Sequence, residues 1–184
     1  DNCVIYPNVI IEGNTIIGDN VVIYAGSYIK NSIIGKNNTI YTSYIFDSKI
    51  GDNNEIGPYT FIRSDNNIGN DNKLGSFTEF KNNTIGNGNK IPHLSYLGDS
   101  EIHNDVEVGC GVITVNWPVN YPMDKKEKTI LQDNSFIGCN STLLAPLTIG
   151  KNAVVGAGST ITEDVPDNAL AIARERQTIK ENYR

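Results

Sequence analysis

The stretch Ile5-Tyr6-Pro7-Asn8-Val9-Ile10-Ile11-Glu12-Gly13-Asn14-Thr15-Ile16-Ile17-Gly18-Asp19-Asn20-Val21-Val22-Ile23 carries the rhythm that decides the fold. Ile5, Ile11, Ile17, Ile23 and Ile29 recur at a step of six. Five-residue steps lead to Ile34, Ile45 and Ile50, and the series runs on through Ile56, Ile62, Ile68, Leu74 and Phe80. Ile85, Ile91, Leu97, Ile102 and Val108 follow, and the register returns at Ile137, Leu143, Ile149, Val155 and Ile161. A step of six fits neither a 3.6-residue helix nor hairpins with variable loops. It fits the hexapeptide β-helix, in which each repeat supplies a short strand and a turn and three repeats close a triangular coil of about 18 residues. Gly often follows the aliphatic, and a small or polar residue such as Val21, Thr60, Thr78, Ser95 or Ser141 stands four places after it. Coils spaced like paired strands, about 4.8 Å apart, stack roughly nine or ten high into a column some 45 Å tall.

Composition agrees. The 184 residues include 25 Ile and 25 Asn, against one Met and one Trp. β-branched Ile packs well on pleated surfaces, and Asn tolerates the left-handed backbone of tight corners. The length suits one domain with an ample core. Net charge is −6 and the pI near 4.9, so the chain lacks the basic face of a nucleic-acid binder. No apolar run approaches a membrane span, and no signal peptide opens the chain. Cys3, Cys110 and Cys139 are odd in number and distant in sequence, forming neither a disulfide framework nor a metal-ligand spacing. That usage fits a reducing cytoplasm. Starting at Asp1 in mid-pattern, the sequence reads as a fragment of a longer protein.

Two segments break the register. Residues 116–129 hold two prolines and no inward periodicity, as expected of a functional loop thrown out from a rigid scaffold. Residues 166–184 follow the last repeat as a C-terminal tail ending in a short helix or coil. Only two histidines occur, His93 and His103, too few and wrongly spaced for the three-His zinc site some β-helices carry. The Thr-x-Thr ladders of an ice-binding solenoid are absent as well. These residues alone leave an acyltransferase or a purely structural column. An amine acyltransferase needs a general base near a corner, and His93 sits two residues after inward Ile91.

His93-Leu94-Ser95-Tyr96-Leu97-Gly98-Asp99, then Gly109-Cys110-Gly111 and Ile113-Thr114-Val115-Asn116, carry a resemblance. With Phe136-Ile137-Gly138-Cys139-Asn140-Ser141, Leu144-Ala145-Pro146 and Gly156-Ala157-Gly158-Ser159-Thr160, they are similar to the C-terminal half of the bifunctional N-acetylglucosamine-1-phosphate uridyltransferase/glucosamine-1-phosphate N-acetyltransferase family. Ala169-Leu170-Ala171-Ile172-Ala173-Arg174 and Gln177-Thr178 extend it to the tail. The resemblance implies an all-β, single-stranded left-handed parallel β-helix over 1–165, with the loop at 116–129. It implies that the tail 166–184 completes the acetyl-CoA site. Left-handedness comes from the family, since parallel crossovers elsewhere are right-handed.

The resemblance further implies acetyl transfer from acetyl-CoA to the amine of glucosamine-1-phosphate, feeding UDP-N-acetylglucosamine synthesis in the cytoplasm, with no metal needed. His93 matches the catalytic base and Glu79 the carboxylate beside it, which would fix its tautomer. Arg63, Lys81 and Lys126 match the cations on the sugar phosphate, and Tyr96 a further sugar contact. Cys110, Asn116, Trp117, Cys139, Ala157 and Arg174 fall at positions lining acetyl-CoA. The family assembles as homotrimers with sites between subunits. Where it places an Asn on the amino sugar, this chain has Glu107, which could pair with a cationic amine. Its Asn-Tyr-Asp-Gly is replaced by Asn116-Trp117-Pro118-Val119, in a loop about four residues longer. Another amino sugar or sugar nucleotide as acceptor, or a weakly active trimerising stem, are therefore the alternatives. The uridyltransferase domain of the family, with its Gly-rich phosphate loop, has no counterpart in this chain.

Overall fold

The computed structural model describes residues 1–117 and 125–183, so part of the 116–129 excursion lies outside the described residues. Every regular element among them is a strand of two to four residues. The strands form three parallel sheets of ten, nine and eight strands, each neighbour one coil further along the chain. These sheets are the three walls of a left-handed β-helix, in the order of their first strands Val4–Ile5, Ile10–Glu12 and Ile16–Ile17. Among the described residues no helix is long and apolar enough to cross a membrane.

The inward aliphatics of the repeat are the core. Ile23, Ile29, Ile40, Ile45, Ile56, Ile62, Leu74, Phe80, Ile91, Leu97, Ile137, Leu143 and Val155 are fully shielded from solvent, stacked coil on coil. Ile5 and Ile11, in the first coil described, point the same way but remain exposed. The residues four places on, including Val21, Thr60, Thr78, Ser95 and Ser141, are buried at the inner corners. Burial there is tolerable because most of these polar groups find a partner, the Ser135 hydroxyl being an exception among the described residues. The sharpest case is an internal asparagine ladder. Asn72 Oδ1 accepts from the backbone N–H of Asn89 at 2.9 Å and from its side-chain amide at 3.0 Å, and Asn54 Oδ1 serves Asn72 in the same way. Asn89 in turn caps the Val106 N–H at 2.8 Å.

The coils are less uniform than a strict step of six predicts. The first-wall register pairs Glu55 with Lys73, Lys73 with Lys90 and Lys90 with Glu107, offsets of 18, 17 and 17. Thr39 pairs with Glu55, an offset of only 16, because the five-residue steps remove corner residues. The excursion raises one offset to 29, Glu107 on Phe136, without disturbing the stacking on either side. Outer corners take positive φ at Asn20, Asn37, Asn53 and Asn140, as the asparagine content predicts. The tail opens with a further strand, Leu170–Ala171, paired on Val154–Val155, and then runs as coil rather than helix.

Replacing Asn72 by Ala strands two buried donors of Asn89. Urea unfolding of Asn72→Ala is expected to lose about 2–5 kcal/mol. Asn37→Ala, in the exposed ladder Asn20–Asn37–Asn53, should lose only about 1 kcal/mol.

Candidate active site

Register brings most of the candidate residues onto one side of the column. Ser76 pairs with His93, and the offset of 17 that joins Lys90 to Glu107 and Tyr96 to Ile113 places Cys110 directly above His93. The offset of 29 holds on both sides of Cys110, at Val108–Ile137 and at Ile113–Thr142, so Cys139 lies above Cys110. An offset of 18 then sets Ala157 above Cys139. His93, Cys110, Cys139 and Ala157 thus form one column along the corner between the first and second walls. Arg174 closes its upper end, the Cδ of its side chain 3.6 Å from the position a Cβ would take on Gly158. Four coil steps at about 4.8 Å give this corner a length near 19 Å.

The second wall beside it carries the other group. Glu79 lies under Tyr96, and Lys81 under Gly98. Arg63 stands one coil below Lys81, continuing the pairing of Ile62 with Phe80. Its Nη1 donates to Glu79 Oε1 at 2.8 Å, and its guanidinium lies 5.8 Å from the Phe61 ring centroid. Glu79, expected beside His93, is therefore engaged by Arg63, and no hydrogen bond reaches the His93 ring among the described residues. The Arg63–Glu79 pair is more than a third exposed on both sides and is worth little in stability. Its effect is to hold the guanidinium against the wall. Lys81 makes no ion pair among the described residues and stays available to an anion. The Tyr96 hydroxyl arches over Gly98, 2.5 Å from where a Cβ would sit, so a larger residue there would push the tyrosine ring aside.

Lys126 returns from the loop to the far edge of this wall. Its Nζ lies 3.2 Å from Asp99 Oδ2 and 5.5 Å from the Trp117 ring centroid. Asp99 also accepts from Asn82 at 2.5 Å and from the Asn116 amide. Its side chain is one-tenth exposed, and a buried carboxylate needs such a set of donors. The Glu127 N–H donates to Asn116 O at 3.0 Å, closing the base of the loop. Arg63, Lys81 and Lys126 accordingly line one edge of the wall, and His93 the other. Asn116 and Trp117, expected with the acetyl-CoA residues, sit at the Lys126 edge and are separated from Cys110, Cys139, Ala157 and Arg174 by the width of the wall.

Glu107 faces outward from the first wall. Lys90 Nζ holds its Oε1 at 2.6 Å, and this hydrogen bond and charge push the Lys90 ammonium above its ordinary pKa. Within one chain Glu107 does not face the His93 corner. Sequence reasoning passed over Asp99 and Lys90. Lys90 is legible as the residue one 17-residue coil below Glu107, whereas Asp99 gives no signal until the loop is seen to fold back. Among the described residues no cluster of His, Cys, Asp and Glu is disposed to hold a metal.

Residues 1–85 match the family model described as the GMPPB C-terminal domain, and residues 128–163 match the bacterial transferase hexapeptide model of six repeats. The bifunctional protein GlmU of Listeria monocytogenes serotype 4a (strain HCC23) is 49% identical over 180 residues, covering 98% of this chain and 38% of that protein. GlmU of Geobacillus sp. (strain WCH70) is 50% identical with the same coverage. The chain therefore spans well under half the length of these relatives. Among solved structures, the UDP-N-acetylglucosamine acyltransferase from Bacteroides fragilis 9343 superposes with a TM-score of 0.59 at 24% identity, over 89% of this chain and 69% of that one. The Campylobacter jejuni UDP-N-acetylglucosamine acyltransferase does so at 0.57 and 21% identity, over 92% and 71%. These two share the fold.

Asp99→Asn keeps the corner and removes the charge that anchors Lys126. Losing a charged hydrogen bond of about 1.5 kcal/mol should speed amide exchange at Glu127 about tenfold. Exchange at Leu97, in the core below, should stay unchanged, as read by hydrogen–deuterium exchange.

Proposed function

From the premise that the chain belongs to the hexapeptide-repeat family of the GlmU C-terminal acetyltransferase domain, we propose that it transfers acetyl from acetyl-CoA to the amine of glucosamine-1-phosphate. The product, N-acetylglucosamine-1-phosphate, serves UDP-N-acetylglucosamine synthesis in the cytoplasm, and the whole protein adds the uridylyl transfer. The observation that carries this reading is the wall with a base on one edge and three cations on the other.

His93 is the general base. It takes the proton from the sugar amine as the nitrogen attacks the thioester carbonyl, and the same proton can pass to the departing CoA thiolate. Its free ring, exposed at the corner, suits a base that must meet two substrates in turn. Lys81 holds the phosphate with Arg63, a fixed fork for two oxygens. Lys126, positioned by Asp99 and Trp117, adds charge from the loop. Tyr96 bounds the sugar between them. Glu79 keeps Arg63 in place, and it reaches His93 only when the ring swings toward the wall.

Acetyl-CoA supplies the activated acetyl group. The corner fits it: a narrow track of small side chains, Cys110, Cys139 and Ala157, runs from His93 to Arg174, with Arg176 two residues further on. The track leaves room for an extended thiol arm, and the arginines offer charge to its phosphates. Asn116 and Trp117 lie across the wall from this track and meet acetyl-CoA only if a neighbouring chain brings them to it.

A homotrimer supplies that neighbour. Tyr59, Phe77 and Leu94 stack as an apolar ridge beside His93, each about 60% exposed and each at positive φ. Bulky residues in that conformation are strained, and an exposed apolar ridge favours cover by another subunit. The first wall of one chain, with Glu107 and Lys90, would then face the second wall of the next. Glu107 would meet the amine only after Lys90 had neutralised much of its charge, which leaves the amine able to deprotonate.

Thiol release from acetyl-CoA tests this directly with glucosamine-1-phosphate, galactosamine-1-phosphate and glucosamine-6-phosphate as acceptors. Turnover with glucosamine-1-phosphate alone is expected. His93→Ala should lower kcat about 10²- to 10⁴-fold. Lys81→Ala should raise KM for the sugar phosphate about 10- to 100-fold with kcat largely kept. Silence on all three acceptors with CoA still bound would assign the chain to another acceptor or to a trimerising stem.

A further inference from the structure

Two of the three cysteines, 29 residues apart in sequence, are neighbours in space. In-register positions flank them on both sides. Val108 lies under Ile137 and Ile113 under Thr142, and the Asn140 N–H donates to Cys110 O at 2.7 Å. Neighbouring strands are about 4.8 Å apart, inside the 4.4–6.8 Å that a disulfide requires between Cα atoms. The Cys139 side chain leans toward the lower coil. Its Sγ lies 2.9 Å from where a Cβ would sit on Gly109, and only the missing side chain of that glycine gives it room. Both thiols are free, Cys139 exposed and Cys110 partly so. His93 stands one coil below Cys110 in the same column.

We propose that Cys110 and Cys139 form a redox pair that closes to an intrachain disulfide across two coils by exchange with a low-molecular-weight disulfide. The Cys139 thiolate attacks that disulfide, releasing one small thiolate and leaving a mixed disulfide on Cys139. His93 takes the proton of the Cys110 thiol, whose sulfur attacks Cys139 Sγ and expels the second small thiolate. The protons shed by the two cysteines end on the two released thiols. Two protein thiols are oxidised and one small disulfide is reduced to two thiols, so atoms and electrons balance. Cys139 goes first because it is the more exposed, and Cys110 resolves the adduct because it lies directly beneath.

The bridge would cross the track of small side chains between His93 and Arg174. Its effect on acetyl transfer rests on the function proposed above, whereas its formation does not. The two are separated in one experiment on the full chain, reduced and then treated with glutathione disulfide. Peptide mapping should find Cys110 joined to Cys139, with Cys3 carrying glutathione by itself, and dithiothreitol should reverse both. In Cys139→Ser, Cys110 should keep glutathione or a free thiol and form no intrachain bridge. Separate glutathione adducts on Cys110 and Cys139 without a bridge, or a bridge from either to Cys3, would overturn the pair. With the bridge formed, acetyl transfer should fall at least tenfold and recover on reduction, and in Cys139→Ser chains whose Cys110 remains a free thiol the ratio of oxidised to reduced rate should return to one. A bridged chain that transfers acetyl at the full rate would overturn the blocking effect while leaving the redox pair standing. A chain that forms the bridge but is inactive both before oxidation and after reduction would instead count against the acetyltransferase reading.

Discussion

Everything in this molecule depends on in-register stacking of one coil on the next. A parallel ladder hydrogen-bonds each residue to the neighbours of its counterpart a coil away, so a sequence separation of 16 to 18 residues becomes a gap of about 4.8 Å. A slip of one residue in any coil would turn its aliphatics outward, which the inward stack from Ile23 to Ile161 opposes at every level. Inside the corners, the amide ladder through Asn54, Asn72 and Asn89 locks the same register by hydrogen bonds that no shifted alignment could satisfy. Chemistry is then laid out in columns. His93, Cys110, Cys139 and Ala157 share a corner for the same reason that Ile56, Leu74 and Ile91 share the core.

Charge follows the columns too. Along the first wall Glu55 meets Lys73 at 3.5 Å and Lys90 meets Glu107 at 2.6 Å, so two like-charged lysines a coil apart each have an acid on the other side. These exposed pairs contribute little to stability and serve mainly to offset repulsion that register makes unavoidable. On the second wall the balance is left incomplete. Arg63 and Lys81 are stacked cations, and only Arg63 is given a carboxylate. Lys126 is different, since its partner Asp99 is buried and held by two amides. That pair fixes where a loop lysine ends, which an exposed pair could not do.

The step of six made the core and the inner-corner positions legible in the sequence, down to individual residues such as Thr78 and Ser141. The site was legible only through its resemblance, because its members lie in different coils and their meeting depends on exact coil lengths. The five-residue steps and the loop change those lengths, so periodicity alone could not place Cys139 above Cys110. Glu79 shows the other gap. Its position on the wall follows from the repeat, but whether it turns to His93 or to Arg63 is a rotamer choice between partners, and Arg63 is the one it takes. Within the segment read as the tail, Leu170–Ala171 pairs on the first wall before the chain leaves the column.

The dimensions of the second wall bear on which acceptor it can hold. Glu79 to Lys81 is two strand steps, about 6.6 Å, and the turn through Phe77 and Thr78 adds the distance to the His93 corner. Glucosamine-1-phosphate carries its amine and phosphate on adjacent ring carbons, so it does not itself span the roughly 10 Å from corner to far edge. In the proposed reading the long Lys81 and Arg63 side chains reach back along the wall to its phosphate. A bare amino sugar would leave Lys81 unanswered, since Glu79 already meets Arg63 and makes no ion pair with Lys81. A bulkier sugar nucleotide would meet the Asp99 carboxylate and the loop base at Asn116 and Glu127, where the cations give way to negative and amide groups. The ridge of Tyr59, Phe77 and Leu94 bounds the corner on the other side, so room for a longer acceptor would have to come from a neighbouring subunit. For the acetyl transfer proposed above, charge and edges together argue for a monosaccharide phosphate over a bare amino sugar or a sugar nucleotide.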